Sequence, residues 1–455
     1  MPSNSIRLII YMSLLLLYFA ADFPSNDIFW KLKKLDRIAL SRAPRAYVVL
    51  AADFDTPASI LNYGILAPFT SFIWSRVFNV TPIVILSTKV SSRLTTATEA
   101  AFARLIRQVG GKIHCISKGI DNSKARSDAS LYPDLVGATL MTALQVSRVA
   151  SIALSYVNDD DVIFTSDADI WPMSTKFWND YISRALNNDS EDFFVYDKRF
   201  FYEQRMKKDC NFLAVTIGFG TKTRVWRKIL STWQNSLKYA PSPRLLFCLY
   251  PNATDSAPYL PWYTSNEENK GIDLKMKENN LIKMKISFPD LLKLFLEEGR
   301  KLYGSTWEKE IWQSEQNYKE KLIWSYDQVL VAEMILASSS NLRVNDDLRR
   351  LDKFGTRDSE SIYMETVRSK SVEDFTDVHL DSVEEKNWWR IHSIWLLIFQ
   401  GFEHSSLFLE SLDFFQRVRS FYDALRANID ENIRNTVIFQ DETFSQDYVD
   451  LCDAI

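Results

Sequence analysis

Short apolar runs alternate with amphipathic stretches through the first third of the chain, and this alternation restricts the fold more than any other feature. Residues 46–52, 82–86, 112–117 and 161–165 have strand length, and 58–78 (with interruptions at Gly64 and Pro68), 96–109 and 137–157 between them carry helical spacing. Strands separated by helices make a largely parallel twisted sheet, and strands without polar alternation are those buried on both faces. The expected class is α/β, Rossmann-like, with flanking helices. Further on, 175–186 reads as a helix, 192–196 as a strand and 212–219 as another apolar segment. Residues 242–278, with Pro243, Pro251, Pro258 and Pro261, read as an irregular insertion. From about residue 288 the pattern is helical, and 384–402 with 404–427 reads as a hairpin of helices broken at Gly401. The aromatic residues of 387–399 fit a helix core better than a ligand platform.

Composition narrows the partners. A formal net charge of −4 with no basic block excludes nucleic acid. Arg7 is followed by an uncharged run, 8–21, which is shorter than the roughly 20 apolar residues of a bilayer span and close to a signal-peptide core. Phe19 and Tyr18 stand where cleavage wants a small residue, which favours an uncleaved signal anchor over a cleaved signal. Residues 22–45, basic and amphipathic from 27, read as a stem. Sequons at Asn79, Asn188 and Asn252 fit a lumenal chain, although Pro82 closely follows the first. The cysteines Cys115, Cys210, Cys248 and Cys452 show no CxxC spacing. They allow up to two disulfides in any of three pairings, and Cys115, in an apolar run, also fits a simple buried thiol.

The chemistry-bearing segment is Thr165-Ser-Asp167-Ala-Asp169-Ile-Trp-Pro172. Two carboxylates follow a strand directly, and ligands of open α/β sheets bind beyond the carboxyl ends of strands. Carboxylates suit Mg²⁺ or Mn²⁺, which keep open positions for phosphate oxygens. The triplet alone is weak, since Asp53-Phe-Asp55 and Asp159-Asp160-Asp161 repeat it and aspartates after strands are commonly turn formers. Gly218-Phe-Gly220 lacks the third glycine of a phosphate loop.

This segment resembles the DXD motif of the GT-A nucleotide-diphospho-sugar glycosyltransferases. The similarity recurs in order across roughly residues 46–395. Pro68, Trp74-Ser-Arg76 and Thr81-Pro-Ile-Val-Ile-Leu86 are similar to the family's first helix and second strand, and Gln145-Val-Ser-Arg148 to the helix before the DXD. Trp324-Ser-Tyr-Asp327-Gln328 is similar to the W-x-x-D-Q helix start, and Arg350-Leu-Asp352-Lys353 and Thr376-Asp-Val-His379-Leu complete the series. The resemblance implies a GT-A fold with a helical C-terminal part: a catalytic domain over 46–427, its donor-binding half 46–230 and its acceptor half 231–427, followed by an acidic tail, 428–455. It implies Mn²⁺ or Mg²⁺ on Asp167, Asp169 and His379, with Arg148 on the leaving diphosphate of a nucleotide sugar, expected to be UDP-linked. Asp53 would seat the nucleoside, and Asp327 would serve as general base toward a hydroxyl of a glycan, glycoprotein or glycolipid acceptor. The implied place is the lumen of the Golgi or endoplasmic reticulum, with the N-terminal segment in the membrane.

Plainer readings stand beside these. Arg148 fits a structural ion pair, His379 a half-buried histidine between Val378 and Leu380, Asp327 a helix cap and Asp352 a turn residue. Two other functions compete. Asp53-Phe-Asp55-Thr56 superficially resembles the nucleophile loop of haloacid dehalogenase-like phosphatases, with Pro57 out of pattern and no convincing downstream partners. The remaining alternative is a catalytically silent, sugar-binding relative.

Overall fold

In the computed structural model, the strands that the sequence places first run side by side as a parallel sheet. β1 (Ala46–Asp53) pairs in parallel with β2 (Thr81–Lys89) and with β4 (Val162–Ser166), and β2 pairs with β3 (Lys112–Lys118). Beyond β4 the sheet changes sense. β7 (Ile217–Lys222) lies antiparallel to β4 and to β6 (Phe193–Val195), and β8 (Leu342–Val344) closes the order β3-β2-β1-β4-β7-β6-β8. A second sheet of three short strands has β10 (Asp377–His379) between β5 (Ile170–Pro172) and β9 (Arg350–Leu351). The fold is therefore α/β with a mostly parallel central sheet.

The described residues are 43–54, 57–89, 96–118, 140–187, 193–195, 217–236, 286–303, 326–338, 342–344, 350–351, 370–380, 383–385 and 388–430. The expected leader 1–21, most of the stem, the Pro-containing insertion, Asp55, Asp352, Asn188, Asn252 and the tail beyond 430 lie outside them. Arg45–Ile455 is one compact unit, and Met1–Pro44 a separate one. No helix among the described residues is long and apolar enough to cross a membrane.

Alternate side chains of the central strands go to opposite faces, which is why their runs are apolar without interruption. Val48 and Leu50 of β1 join one core cluster, and Tyr47 and Val49 the other. The first face is covered by α1 (Leu66–Phe72), α2 (Thr96–Arg107), α8 (Trp388–Phe399) and α9 (Ser406–Asp430). The second is covered by α3 (Leu140–Ala150), α5 (Thr223–Ser236), α6 (Phe288–Tyr303) and α7 (Tyr326–Ser338). Trp388, Trp395 and Phe399 are buried in the first cluster, edge-on against Phe69 and Phe72, with Trp389 packed partly buried against it, so the aromatic residues of 387–399 belong to the core. The interrupted helical stretch expected over 58–78 is a succession of short helical segments: π-helical windings at Ile60–Gly64 and Ile73–Val77 lie on either side of α1, the first ending at Gly64, while Pro68 lies inside α1.

One irregularity of the sheet bears on the site. β7 carries an extra residue, Gly218, opposite the Thr165–Ser166 step of β4, at a φ of +63° that favours glycine. The buried Tyr181 hydroxyl of α4 (Thr175–Asn187) donates to the Gly218 carbonyl at 2.6 Å and fixes the bulge. Gly220 has the second demand: a Cβ there would stand 1.9 Å from the carbonyl oxygen of Ile163. These needs account for Gly218-Phe-Gly220. Gly220→Ala should cost about 3 kcal/mol, since two paired strands must part. Gly218→Ala should cost about 1 to 2 kcal/mol, the ordinary strain of a left-handed residue. Thermal unfolding of the two variants checks both, and equal losses would refute the assignment of the closer contact to Gly220.

Candidate active site

The three D-x-D triplets separate cleanly once folded. Asp159 and Asp160 sit before β4, at its amino end, ion-paired with Arg227 and Arg224 of α5. Asp161 accepts from the backbone amides of Arg45 and Asn158 at 2.8 and 2.9 Å. All three are spent on structure. Asp53 ends β1 and Asp167 follows β4, and because these neighbouring strands are parallel, both lie at the carboxyl edge where such sheets bind ligands. Asp53 is half-buried and accepts from the Ser87 hydroxyl at 2.7 Å, while Ser87 also accepts from the Phe54 amide at 3.3 Å.

The turn carrying Asp167 and Asp169 is held by its carbonyls. Ile170 N–H donates to the Asp167 carbonyl at 3.4 Å, the Thr70 hydroxyl to that of Ala168 at 2.5 Å, and Leu380 N–H to that of Asp169 at 2.7 Å. β10 then pairs antiparallel with β5, setting His379 opposite Ile170. This backbone register brings His379 Nε2 to 3.3 Å from Asp169 Oδ2, across 210 positions of sequence. The arm bearing β10 is anchored at its other end as well. Glu373 accepts from the Thr175 amide at 3.0 Å and from the hydroxyls of Ser174 and Thr175, which caps the start of α4. Thr70, Ser87 and Glu373 have no place in the sequence reading. For Glu373 a local signal existed, the capping-box spacing of Ser371 and Asp374 around it.

Arg148 occupies the last turn of α3 and donates to two carboxylates at once: to Asp167 Oδ1, and to Asp327 Oδ2 at 2.6 Å. Asp327 is in the first turn of α7, so Arg148 joins the DXD turn to a helix 160 positions later (327 − 167). The site has depth. Asp327 and Arg148 side chains are only 1% and 6% exposed, whereas Asp167, Asp169 and His379 are 30%, 17% and 29% exposed. Burial alone lowers the tendency of a guanidinium to stay charged, but the two aspartates outweigh it and hold Arg148 above its usual value. Burial raises the Asp327 carboxyl, with Arg148 opposing. As it stands Asp327 is closed to an incoming hydroxyl, so the base role expected from sequence would require its ion pair to open.

Five of the expected residues thus meet at one edge: Arg148, Asp167, Asp169, His379 and Asp327, with Asp53 on the adjoining strand end. The donor set suits a hard divalent cation in kind, with two part-exposed carboxylates and an imidazole, and its three carboxylates outnumber the single guanidinium. It does not converge. No three His, Cys, Asp or Glu side chains among the described residues stand close enough to hold one ion, because Asp167 is turned onto Arg148.

The crowding of negative charge has a measurable consequence. Burial lifts the Asp167 carboxyl from its ordinary 3.8 to about 6, the charges of Asp169 and Asp327 adding to the lift while Arg148 and His379 oppose it. The folded state therefore holds this proton more tightly than the unfolded chain. The associated stability is fully present below pH 3.8 and is lost as pH rises through about 6. Asp169→Asn removes one negative neighbour, so Asp167 should titrate lower and the loss of stability across that window should shrink. Carboxyl NMR titration and melts across the window check both, and an Asp167 that still titrates near its original value would remove Asp169 as a cause.

No protein-family model matches the chain, and no curated protein or solved structure does either.

Proposed function

We propose that the chain is a metal-dependent glycosyltransferase of the GT-A type, moving a sugar from a nucleoside diphosphate, UDP in the first instance, to an acceptor hydroxyl. The observation that carries the reading is the meeting of Asp169 and His379. Two residues singled out as metal ligands from separate short motifs lie 3.3 Å apart, at the sheet edge where nucleotides bind in α/β folds. A random pair of polar residues 210 positions apart has no reason to be brought together by a dedicated strand pairing.

The residues divide the work. Asp169 and His379, with Asp167 once it leaves Arg148, would hold Mn²⁺ or Mg²⁺. When bound, that ion supplies Lewis acidity toward a diphosphate leaving group. Arg148 offers a fixed positive charge beside the same group, and Asp327 holds the guanidinium in place. Asp53 sits where a nucleoside would meet the end of β1. The acceptor side rests on residues of the C-terminal half.

A lumenal setting agrees with two features. Cys115 is disulfide-bonded, and structural disulfides belong to oxidising compartments. The uncharged run 8–21 remains the proposed anchor.

The test is hydrolysis of the common nucleotide sugars with and without Mn²⁺, on wild type and on Asp169→Asn and His379→Ala. One donor should be cleaved in a Mn²⁺-dependent way. Asp169→Asn should lower the rate by about two to four orders of magnitude, and His379→Ala should be partly restored by excess Mn²⁺. Absence of Mn²⁺-dependent cleavage across all donors, in a protein that melts normally, would overturn the reading. A His379→Ala variant that loses stability but responds to no added metal would make the histidine structural.

A further inference from the structure

We infer that Arg148 is a built-in counter-ion that occupies Asp167 until a divalent cation displaces it, and that Asp327 is the seat that receives the displaced guanidinium. The inference rests on the reading of Asp167, Asp169 and His379 as a cation site, and it explains why these three do not converge.

Four observations support it. The guanidinium is shared, one terminal nitrogen on Asp167 and the other on Asp327, so it is already half committed to each. The sharing is graded by depth: Asp327 is at the bottom of the site and Asp167 near its mouth. A cation entering from solvent meets Asp167 first.

The receiving seat has unused capacity. Asp327 Oδ1 is buried and has no hydrogen-bond partner among the described residues, so the carboxylate uses only one oxygen on Arg148. A carboxylate and a guanidinium make their strongest contact as a two-pronged pair, and Asp327 has the second prong free. Arg148 released from Asp167 has a terminal nitrogen free to complete that pair, while its Nε donates to the Gln145 carbonyl at 3.4 Å.

Charge supplies the driving force. Three carboxylates face one guanidinium, so acidic side chains outnumber the cation beside them. A monovalent group inside the protein cannot neutralise Asp167 and Asp169 together, and a divalent ion can. Guanidinium and metal therefore compete for the same Asp167 oxygen.

Competition predicts an effect of unusual sign. Mn²⁺ alone, without nucleotide, is titrated into the full chain and free Mn²⁺ is read by electron paramagnetic resonance. Arg148→Gln should bind Mn²⁺ at least about tenfold more tightly than wild type, because one opposing charge a few ångströms away is gone. Arg148→Lys keeps that charge and should bind no more tightly than wild type. Asp327→Asn leaves Arg148 wholly on Asp167 and should bind several-fold more weakly. If wild type binds Mn²⁺ and Asp169→Asn does not, yet Arg148→Gln binds no tighter, the displacement is overturned and the cation site stands. If neither wild type nor Arg148→Gln binds Mn²⁺, the cation site itself fails. Should Arg148→Gln not fold, wild type still decides: adding Mg²⁺ should shift the Arg148 side-chain nitrogen resonances, and unshifted resonances at saturating Mg²⁺ would end the proposal.

Discussion

Three residues of antiparallel pairing, Asp377–His379 against Ile170–Pro172, determine what this site is made of. Strand pairing has a period of two, so a slip of one residue would turn His379 to the opposite face and away from Asp169. A ladder this short cannot hold its own register. It is fixed from both ends, by Leu380 N–H on the Asp169 carbonyl at one and by Met173 and Ser174 amides on the Thr376 and Phe375 carbonyls at the other. Trp178 Nε1 donates to the same Thr376 carbonyl at 2.7 Å, and Glu373 fastens the arm to α4. Most of these partners are backbone atoms, which explains how the arrangement arises from segments with little sequence character.

The second constraint is electrostatic, and it works against stability. Burial raises both the Asp327 and the Asp167 carboxyls by loss of water, and at Asp167 the charges of Asp169 and Asp327 add to the lift. A fold selected for stability alone would replace such a group with apolar side chains of similar volume, commonly at no loss. The surrounding core shows that the chain can do this, since α7 contributes Leu330, Val331 and Met334 to the second cluster a few positions after Asp327. Retained charge at the carboxyl edge of a sheet is what a binding site for a charged ligand requires.

The sheet was legible in the sequence because its strands are buried on both faces. Residues 46–52, 82–86 and 162–164 are continuous apolar runs, and they fall within β1, β2 and β4. The antiparallel turn of the sheet at β7 was not legible. Its segment is defined by a bulge and by a close approach to Ile163, and both leave glycine as their only trace. Among site residues, Asp167 and Asp169 stood out because they follow a strand. Arg148 and Asp327 came from resemblance, and nothing local distinguished either from an ordinary helix residue. Their ion pair joins two helices 179 positions apart, and no periodicity reports such a contact. The expected base role for Asp327 missed its depth for the same reason.

The same residue type has opposite fates at the two ends of β4, and the difference is one of unused bonding capacity. Before the strand, Asp159 and Asp160 each have their own arginine and Asp161 has two backbone amides, so little attraction remains for anything from outside. After it, Asp167 shares its arginine with Asp327, and Asp169 has the imidazole of His379 beside it instead of a guanidinium. Lysine in place of Arg148 would present a point charge unable to satisfy two carboxylates set apart in the site, and a second arginine would neutralise the excess of negative charge. One planar cation among three aspartates therefore leaves this edge with more acidic than basic side chains once it has folded, which is the charge pattern that the proposed cation site calls for.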